Sequence, residues 1–300
     1  MRARWQLVLA AVWFSTGGAA IKWCALTGWQ VAAFRALVAM GAILALIPEA
    51  RRSWSWRAGV VGIAYAGAGL LFVLANKLTT AANTVFLQAT SPLFVVVLAP
   101  WLLGERVTTR DGVFIAVMGG GLTLLFAGGT RHFATAPNPV LGNVLAAGSA
   151  VAWACTVTGF RWLSRDRRGT GGTGGTGGAG GAEGARGAVA SAAASGNFIV
   201  FLVSLPWALP LAGARAADWL VVLYLGVFQL GLAYVFLSHA ITEVTALEAS
   251  LFLLVEPVLS PIWAWLVHGE TPGPLAVLGG AVILTATVYK SWADTQVVAA

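Results

Sequence analysis

The amino-acid sequence predicts an all-α integral membrane protein with ten transmembrane helices arranged as two inverted five-helix repeats. Three observations lead to this fold class: the composition, the spacing of the apolar segments and an internal repeat. Hydrophobic residues make up 58% of the 300 positions and charged residues only 10%, with a mean hydropathy of +0.82. A soluble domain carries about 25% charged residues. The composition therefore predicts a protein embedded in a lipid bilayer.

Ten apolar segments are each close to the roughly 20 residues that a helix needs to cross a bilayer. Most connections between them are short, which predicts antiparallel packing of successive helices. The first segment also resembles a signal peptide, because Arg2 and Arg4 precede it, but its length favours a retained helix. We predict spans at 5–23, 29–48, 57–76, 81–103, 111–128, 139–163, 188–211, 217–239, 245–267 and 273–292.

The distribution of basic residues predicts the orientation of the chain. With an even number of spans, both termini lie on one side. Thirteen of the 18 lysines and arginines fall on the N-terminal side and four on the other, while Arg35 lies within a span. This bias predicts cytoplasmic termini in a bacterial inner membrane. It also accounts for the net charge of +7 without a nucleic-acid partner.

Two features that could indicate a cofactor do not do so here. Cys24 and Cys155 lie far apart in apolar segments, which predicts neither a disulfide scaffold nor a metal site. The glycine-rich segment 169–187 lacks the GK[ST] ending of a phosphate-binding loop. We interpret it as a flexible cytoplasmic linker between helices six and seven. No cofactor is expected.

The internal repeat is the most informative pattern in the sequence. Segment 75–105 aligns without a gap with 240–270, which pairs Pro92 with Pro257 and gives both segments a Gly-Glu ending. Separately, "LAAVWFST" near the N-terminus resembles "SAVAWACT" at 149–156.

We place the first repeat at 1–130 and the second at 131–300. Each repeat holds five spans, and because five is odd, the second copy enters the membrane upside down relative to the first. Inverted repeats of this type underlie alternating access, with substrate bound near the middle of the membrane. Two complete repeats in one chain make a monomer sufficient.

The repeat segments resemble the drug/metabolite transporter superfamily in its EamA-type branch. The resemblance rests on Trp13, on "FRALVA" at 34–39, on "TTAANTVFLQATSPLFVVVLAPWLLGER" at 79–106 with its diverged copy at 244–270, and on "GETPGPLAVLGGAVIL" at 269–284. Within this branch the chain is similar to bacterial exporters of amino acids, including aromatic ones. The resemblance implies a central cavity formed by spans one, three, four, six, eight and nine. Spans five and ten would be peripheral supports.

Glu256 is the leading candidate for a substrate-binding residue. It lies near the middle of span nine, where an acidic residue costs roughly 2.5–3.5 kcal/mol on insertion and usually faces a cavity. It is a candidate proton carrier or partner for a substrate amine, and the alternative is a purely structural hydrogen bond. Pro257 and its counterpart Pro92 are candidate hinges, or they only shape their helices.

The other candidates are polar or aromatic side chains within apolar spans. Thr84, Gln88 and Ser91 follow i, i+4, i+7 spacing and are predicted to form a polar stripe along one face of span four. This stripe is expected to face either a cavity or another helix.

Three aromatic residues, Trp13, Trp153 and Tyr65, lie deep in their spans, where they could contact substrate or pack between helices. Arg35 and His239 are possible charge partners. Arg35 could meet an anionic group of the substrate or pair with a carboxylate, and His239 near a helix end could be solvated.

Glu105 and Glu270 end their spans and are expected to cap or anchor adjacent helices. The sequence therefore predicts an alternating-access transporter that exports small organic metabolites, among them amino acids including aromatic ones. Its expected partners are a small-molecule substrate and the lipid bilayer. An integral membrane enzyme acting on lipid-linked substrates is the alternative, followed by a channel. The enzyme alternative lacks an HExxH motif or a carboxylate pair at catalytic spacing.

Overall fold

The computed structural model describes residues 2–103, 109–127, 133–169, 179–211, 213–240, 252–253 and 255–299. The described residues contain helices and no strand. The helices of the first half are α1 (Arg2–Ser15), α2 (Gly17–Trp23), α3 (Gly28–Leu46), α4 (Pro48–Arg52), α5 (Trp56–Leu78), α6 (Ala81–Gln88), α7 (Ser91–Leu103) and α8 (Thr109–Ala127). Those of the second half are α9 (Pro139–Gly169), α10 (Ala179–Ala208), α11 (Ala216–Tyr224), a π-helical segment (Leu225–Leu232), α12 (Ala233–Ala240), α13 (Val255–His268) and α14 (Pro274–Ala299).

Eight helical stretches in the described part of the chain are long and apolar enough to cross a membrane. They coincide with the second to the eighth and with the tenth of the predicted spans. The first predicted span is divided into α1 and α2, and the ninth falls partly on residues 245–251 and 254, which lie outside the described ranges. The all-α membrane class predicted from the sequence is confirmed.

Within the described ranges three spans are interrupted, and each interruption has a local cause or marker. Span one breaks at Thr16, immediately before the paired glycines that open α2. Span four breaks at Ala89 and Thr90, because Pro92 has no N–H to donate to the carbonyl of Gln88. Span eight widens into the π-helical segment, a feature that is frequent at functional sites.

The region predicted as a linker is shorter than expected. Helix α9 continues to Gly169, and α10 begins at Ala179, so residues 179–187 are helical rather than a loop. The three alanines of this stretch favour a helix but its four glycines oppose one, so helix propensity alone does not explain it. Gly187 also packs so closely on α4 that a Cβ there would lie 2.8 Å from the carbonyl of Glu49.

Helices α8 and α14 pack against each other at the side of the bundle. A Cβ on Gly279 would lie 2.7 Å from the carbonyl of Gly121, so the two backbones can approach only because both positions are glycine. An ion pair of 2.8 Å between Lys290 and Asp111 joins the same two helices. This arrangement is the one expected of two supporting spans.

The interior is organised around α5, which packs against α9 and α10, while α10 also packs against α3. A Cβ on Gly196 would lie 2.7 Å from the carbonyl of Gly62, so α5 and α10 are in direct backbone contact there. This contact brings Tyr65 and Asn197, each next to the crossing, to the same wall of the interior.

Candidate functional site

A cavity of about 120 Å³ lies inside the bundle. A water needs about 10–15 Å³ of such volume, so the cavity has room for roughly ten waters or a small organic solute. Residues from both halves of the chain line it: Phe14, Arg35, Ala36, Tyr65, Ala68, Gly69, Phe72, Gln88, Trp153, Asn197, Val200, Gln229, Leu230, Tyr234 and Glu256. These residues come from the six spans implied by the resemblance and also from spans two and seven. Neither α8 nor α14 contributes to the lining.

Five of the residues singled out in the sequence line this cavity: Glu256, Gln88, Trp153, Tyr65 and Arg35. The structure thus brings together one acid, one base, one amide and two aromatic rings from five different spans. The remaining candidates lie outside the lining.

Glu256 lies in α13 and is half-buried. Its carboxylate has no hydrogen-bond or ion-pair partner among the residues that the structure describes. A carboxylate in this position can accept bonds from a ligand in the cavity. The structural alternative, in which Glu256 bonds to a neighbouring helix, has no described partner to support it.

Arg35 is on the opposite repeat, in α3, and is only 5% exposed. Its Nη1 donates to Oε1 of Gln229 and its Nη2 to the carbonyl of Gly69, both at 3.4 Å. The bond to Gln229 depends on close packing of the π-helical segment on α3. Gly226 allows this packing, since a Cβ there would lie 2.5 Å from that of Val38.

Aromatic rings form the apolar wall of the cavity. The ring centroid of Tyr65 lies 6.4 Å from that of Trp153 and 5.9 Å from that of Tyr234, and Phe14 meets Tyr234 edge-on at 5.7 Å. The Nδ2 of Asn197 donates to the Tyr65 hydroxyl at 3.4 Å. Such a wall can pack against an apolar or aromatic group and attract a cation to the ring faces.

The predicted polar stripe of span four does not form one face. The interruption after Gln88 separates Ser91 from the other two residues, and Thr84 is fully buried with its hydroxyl bonded to the carbonyl of Thr80 at 3.0 Å. Gln88 alone reaches the cavity. Its Nε2 donates at 3.0 Å to Ser149 of α9. Its contact to another helix and its place in the lining are both alternatives that the sequence left open.

Trp13 packs between helices rather than in the cavity lining. Its ring lies 5.4 Å from that of Phe228 and 6.0 Å from that of Tyr224, both in span eight. The neighbouring Phe14 occupies the cavity wall instead. His239 is exposed, and its Nδ1 lies 2.8 Å from the carbonyl of Val235.

Both candidate hinges lie within helices of the bundle. Pro92 is the second residue of α7, next to the interruption of span four, and Pro257 is buried in α13. Their role in bending remains a prediction.

Ten of the fifteen lining residues were not singled out in the sequence, among them Asn197, Gln229, Phe14 and Tyr234. Asn197 and Gln229 carried a usable signal, since both are amides in the middle of apolar spans. Phe14 and Tyr234 carried none, because an aromatic residue in an apolar span faces a neighbouring helix as readily as a cavity.

A buried ion pair lies at the end of the bundle towards which α2 runs. Lys22 lies 2.8 Å from Glu270, and each side chain is 1% exposed. The Lys22 Nζ also donates at 2.7 Å to the carbonyls of Thr79 and Thr135, and Oε2 of Glu270 accepts from the backbone N–H of Ala81 at 2.9 Å. We call these five residues the Lys22 cluster. It joins the two predicted repeats, and the predicted capping role of Glu270 is confirmed.

Comparisons with known proteins agree with this architecture. A crystal structure of a protein 20% identical in sequence superimposes with a TM-score of 0.61 over 98% of both chains, which shows a shared fold. The uncharacterized transporter YdfC of Bacillus subtilis (strain 168) is 38% identical over 88 residues, and this similarity spans only 29% of each chain. The EamA-like transporter family matches residues 2–127 and 185–291, which is more than half of the sequence. The chain belongs to the EamA-like transporter family.

Proposed function

We propose that this membrane transporter exports small organic metabolites, principally amino acids including aromatic ones, by alternating access. The observation that carries the proposal is the central cavity, in which a carboxylate without a described partner stands among aromatic rings. An amino acid offers an ammonium group for Glu256 and an apolar side chain for the rings of Tyr65, Trp153 and Tyr234. Export, rather than uptake, follows from the resemblance to amino-acid exporters.

The position of the cavity supports alternating access. Residues of both predicted repeats line the cavity. Inverted-repeat transporters bind substrate where their two repeats meet. The Lys22 cluster bridges the repeats at one end of the bundle. To open that end, the transporter must separate Lys22 from Glu270. The excess of basic residues on the N-terminal side supports cytoplasmic termini in a bacterial inner membrane and puts the Lys22 cluster on the outside.

Substitution of Glu256 tests the substrate proposal. Labelled phenylalanine and leucine would be followed in liposomes containing the purified wild type, E256Q or E183Q, at an acidic and an alkaline pH. E183Q removes an exposed carboxylate outside the cavity and serves as the matched control. Protonation of Glu256 removes the charge that attracts the ammonium group, so wild-type flux should fall in acid.

E256Q should reduce flux by about tenfold or more and abolish its pH dependence, while E183Q behaves as the wild type. If a folded E256Q moved both amino acids normally at both pH values, Glu256 would have a structural role and the binding site would lie elsewhere.

A further inference from the structure

The guanidinium of Arg35 is a buried charge without a counter-charge. Its two hydrogen bonds are long, and both go to neutral acceptors, the Gln229 side chain and the Gly69 carbonyl. No carboxylate of the described residues lies within 4 Å of it. Buried charges in proteins are normally paired, because an unpaired one loses its hydration without compensation. Arg35 lines the cavity, so an anion in the cavity can supply the missing charge.

The natural protein partner for Arg35 would be Glu256, but the two do not form an ion pair. Both line the same cavity, and Glu256 has no ion-pair partner among the described residues either. One cavity thus presents a cation and an anion that do not neutralise each other. Two separate opposite charges fit a ligand that itself carries both charges.

We propose that the cavity recognises a zwitterion at two points, with Arg35 binding the carboxylate and Glu256 the ammonium group of an α-amino acid. This inference rests on the proposed function and narrows its substrate class. Arginine is suited to the first role, since its planar donors match the two oxygens of a carboxylate. The aromatic wall takes the side chain, which favours apolar and aromatic amino acids over charged ones.

Gln229 is a positioning residue in this arrangement. It accepts from Nη1 of Arg35, and its own amide is confined by the first helix break, since a Cβ on Gly17 would lie 2.8 Å from its Nε2. Gln229 therefore fixes the direction in which the remaining donors of Arg35 point.

The test compares phenylalanine with phenylalaninamide, which keeps the ring and the ammonium group but lacks the carboxylate. Flux of both compounds would be measured in liposomes containing the wild type, R35Q or R52Q, with the leak through protein-free vesicles subtracted. Arg52 is exposed on α4 and provides the control. We expect R35Q to lose phenylalanine flux by about tenfold or more and to keep phenylalaninamide flux within about twofold. R52Q should match the wild type for both compounds.

The outcomes separate this inference from the proposed function. If R35Q moved phenylalanine as fast as the wild type, or if the wild type did not distinguish the two compounds, recognition of the carboxylate by Arg35 would be refuted while amino-acid transport would stand. If the wild type moved neither compound, the proposed function would be refuted as well.

Binding to the wild-type protein gives a second test that does not depend on folding of a variant. The thermal unfolding midpoint of the purified protein would be measured with phenylalanine, phenylalaninamide or 3-phenylpropanoate at equal concentration. Two-point recognition predicts that phenylalanine raises the midpoint most, because each of the other compounds leaves one charge of the cavity unpaired. An equal shift with phenylalanine and phenylalaninamide would overturn the inference.

Discussion

At the scale of single residues, the cavity depends on glycine as much as on charge. Gly226 lets the π-helical segment approach α3, and this approach brings Gln229 within hydrogen-bond distance of Arg35. Arg35 and Gln229 thus come from different spans. The missing side chain of Gly226 lets these spans come close enough for the hydrogen bond to form.

Substitution of Gly226 by alanine tests this dependence. The new Cβ would lie 2.5 Å from the Cβ of Val38 and 3.0 Å from the carbonyl of Arg35, so the π-helical segment must move away from α3. We expect G226A to lower the free energy of unfolding by about 1–3 kcal/mol and to weaken phenylalanine binding. Thermal unfolding in detergent with and without phenylalanine measures both effects.

The matched control is G41A, on α3 itself, where an added Cβ meets nothing within 4 Å. G41A should be no less stable than the wild type. Equal behaviour of G226A and G41A would contradict the role of the close approach.

The cost of burying a polar group decides which site residues can be predicted from the sequence. Glu256, Arg35 and Gln88 stand out because a charge or an amide in an apolar span is costly unless it faces a cavity or a polar partner. Trp13 stands out because the repeat pairs it with Trp153, yet Phe14 lines the cavity instead, since a shift of one residue turns a side chain by about 100° around a helix. The sequence does not set that rotation, since both faces of the helix are apolar.

At the scale of helices, the spans follow from hydropathy, but their interruptions do not. The break before Pro92 could be anticipated from the proline, whereas the break at Thr16 and the π-helical segment have no comparable signal. The polar stripe proposed for span four assumed a continuous helix, and the break invalidated that assumption. Glu105, the repeat counterpart of Glu270, lies outside the described residues, so its predicted capping role remains a prediction.

Disruption of the Lys22 cluster should shift the transporter towards the conformation in which this end of the bundle is open. E270Q leaves the buried Lys22 without its counter-charge, which costs about 3–5 kcal/mol for a broken buried pair. This loss should favour the conformation in which that end is open. Cys24, which is buried at the end of α2, provides a native reporter.

The experiment uses a C155S background, so that Cys24 is the remaining thiol. We expect a membrane-impermeant maleimide to label Cys24 several-fold faster in E270Q than in the parent, and E183Q to leave the rate unchanged. An unchanged rate in E270Q would mean that the cluster does not hold this end closed. Labelling in intact cells also tests the predicted outside location of this end.

At the scale of the whole molecule, the internal repeat explains how the two halves of the chain contribute to one cavity. The matching segments of spans four and nine place Gln88 and Glu256 from the two halves on one cavity, and the supporting helices α8 and α14 pack together outside it. The sequence could predict this architecture because Pro92 and Pro257 fixed the register of the repeat. It could not predict that spans two and seven also line the cavity, since burial inside the bundle depends on how the helices pack.

In the proposed transport cycle, one solute site is exposed to the two sides of the membrane in turn. Countertransport tests it most directly: the initial rate at which labelled phenylalanine enters liposomes containing the wild-type protein, with and without unlabelled phenylalanine inside. Alternating access predicts a rate several-fold higher with phenylalanine inside, because loaded transporter returns faster than empty transporter. Entry at the same rate in both cases would indicate a continuous channel and would contradict the account.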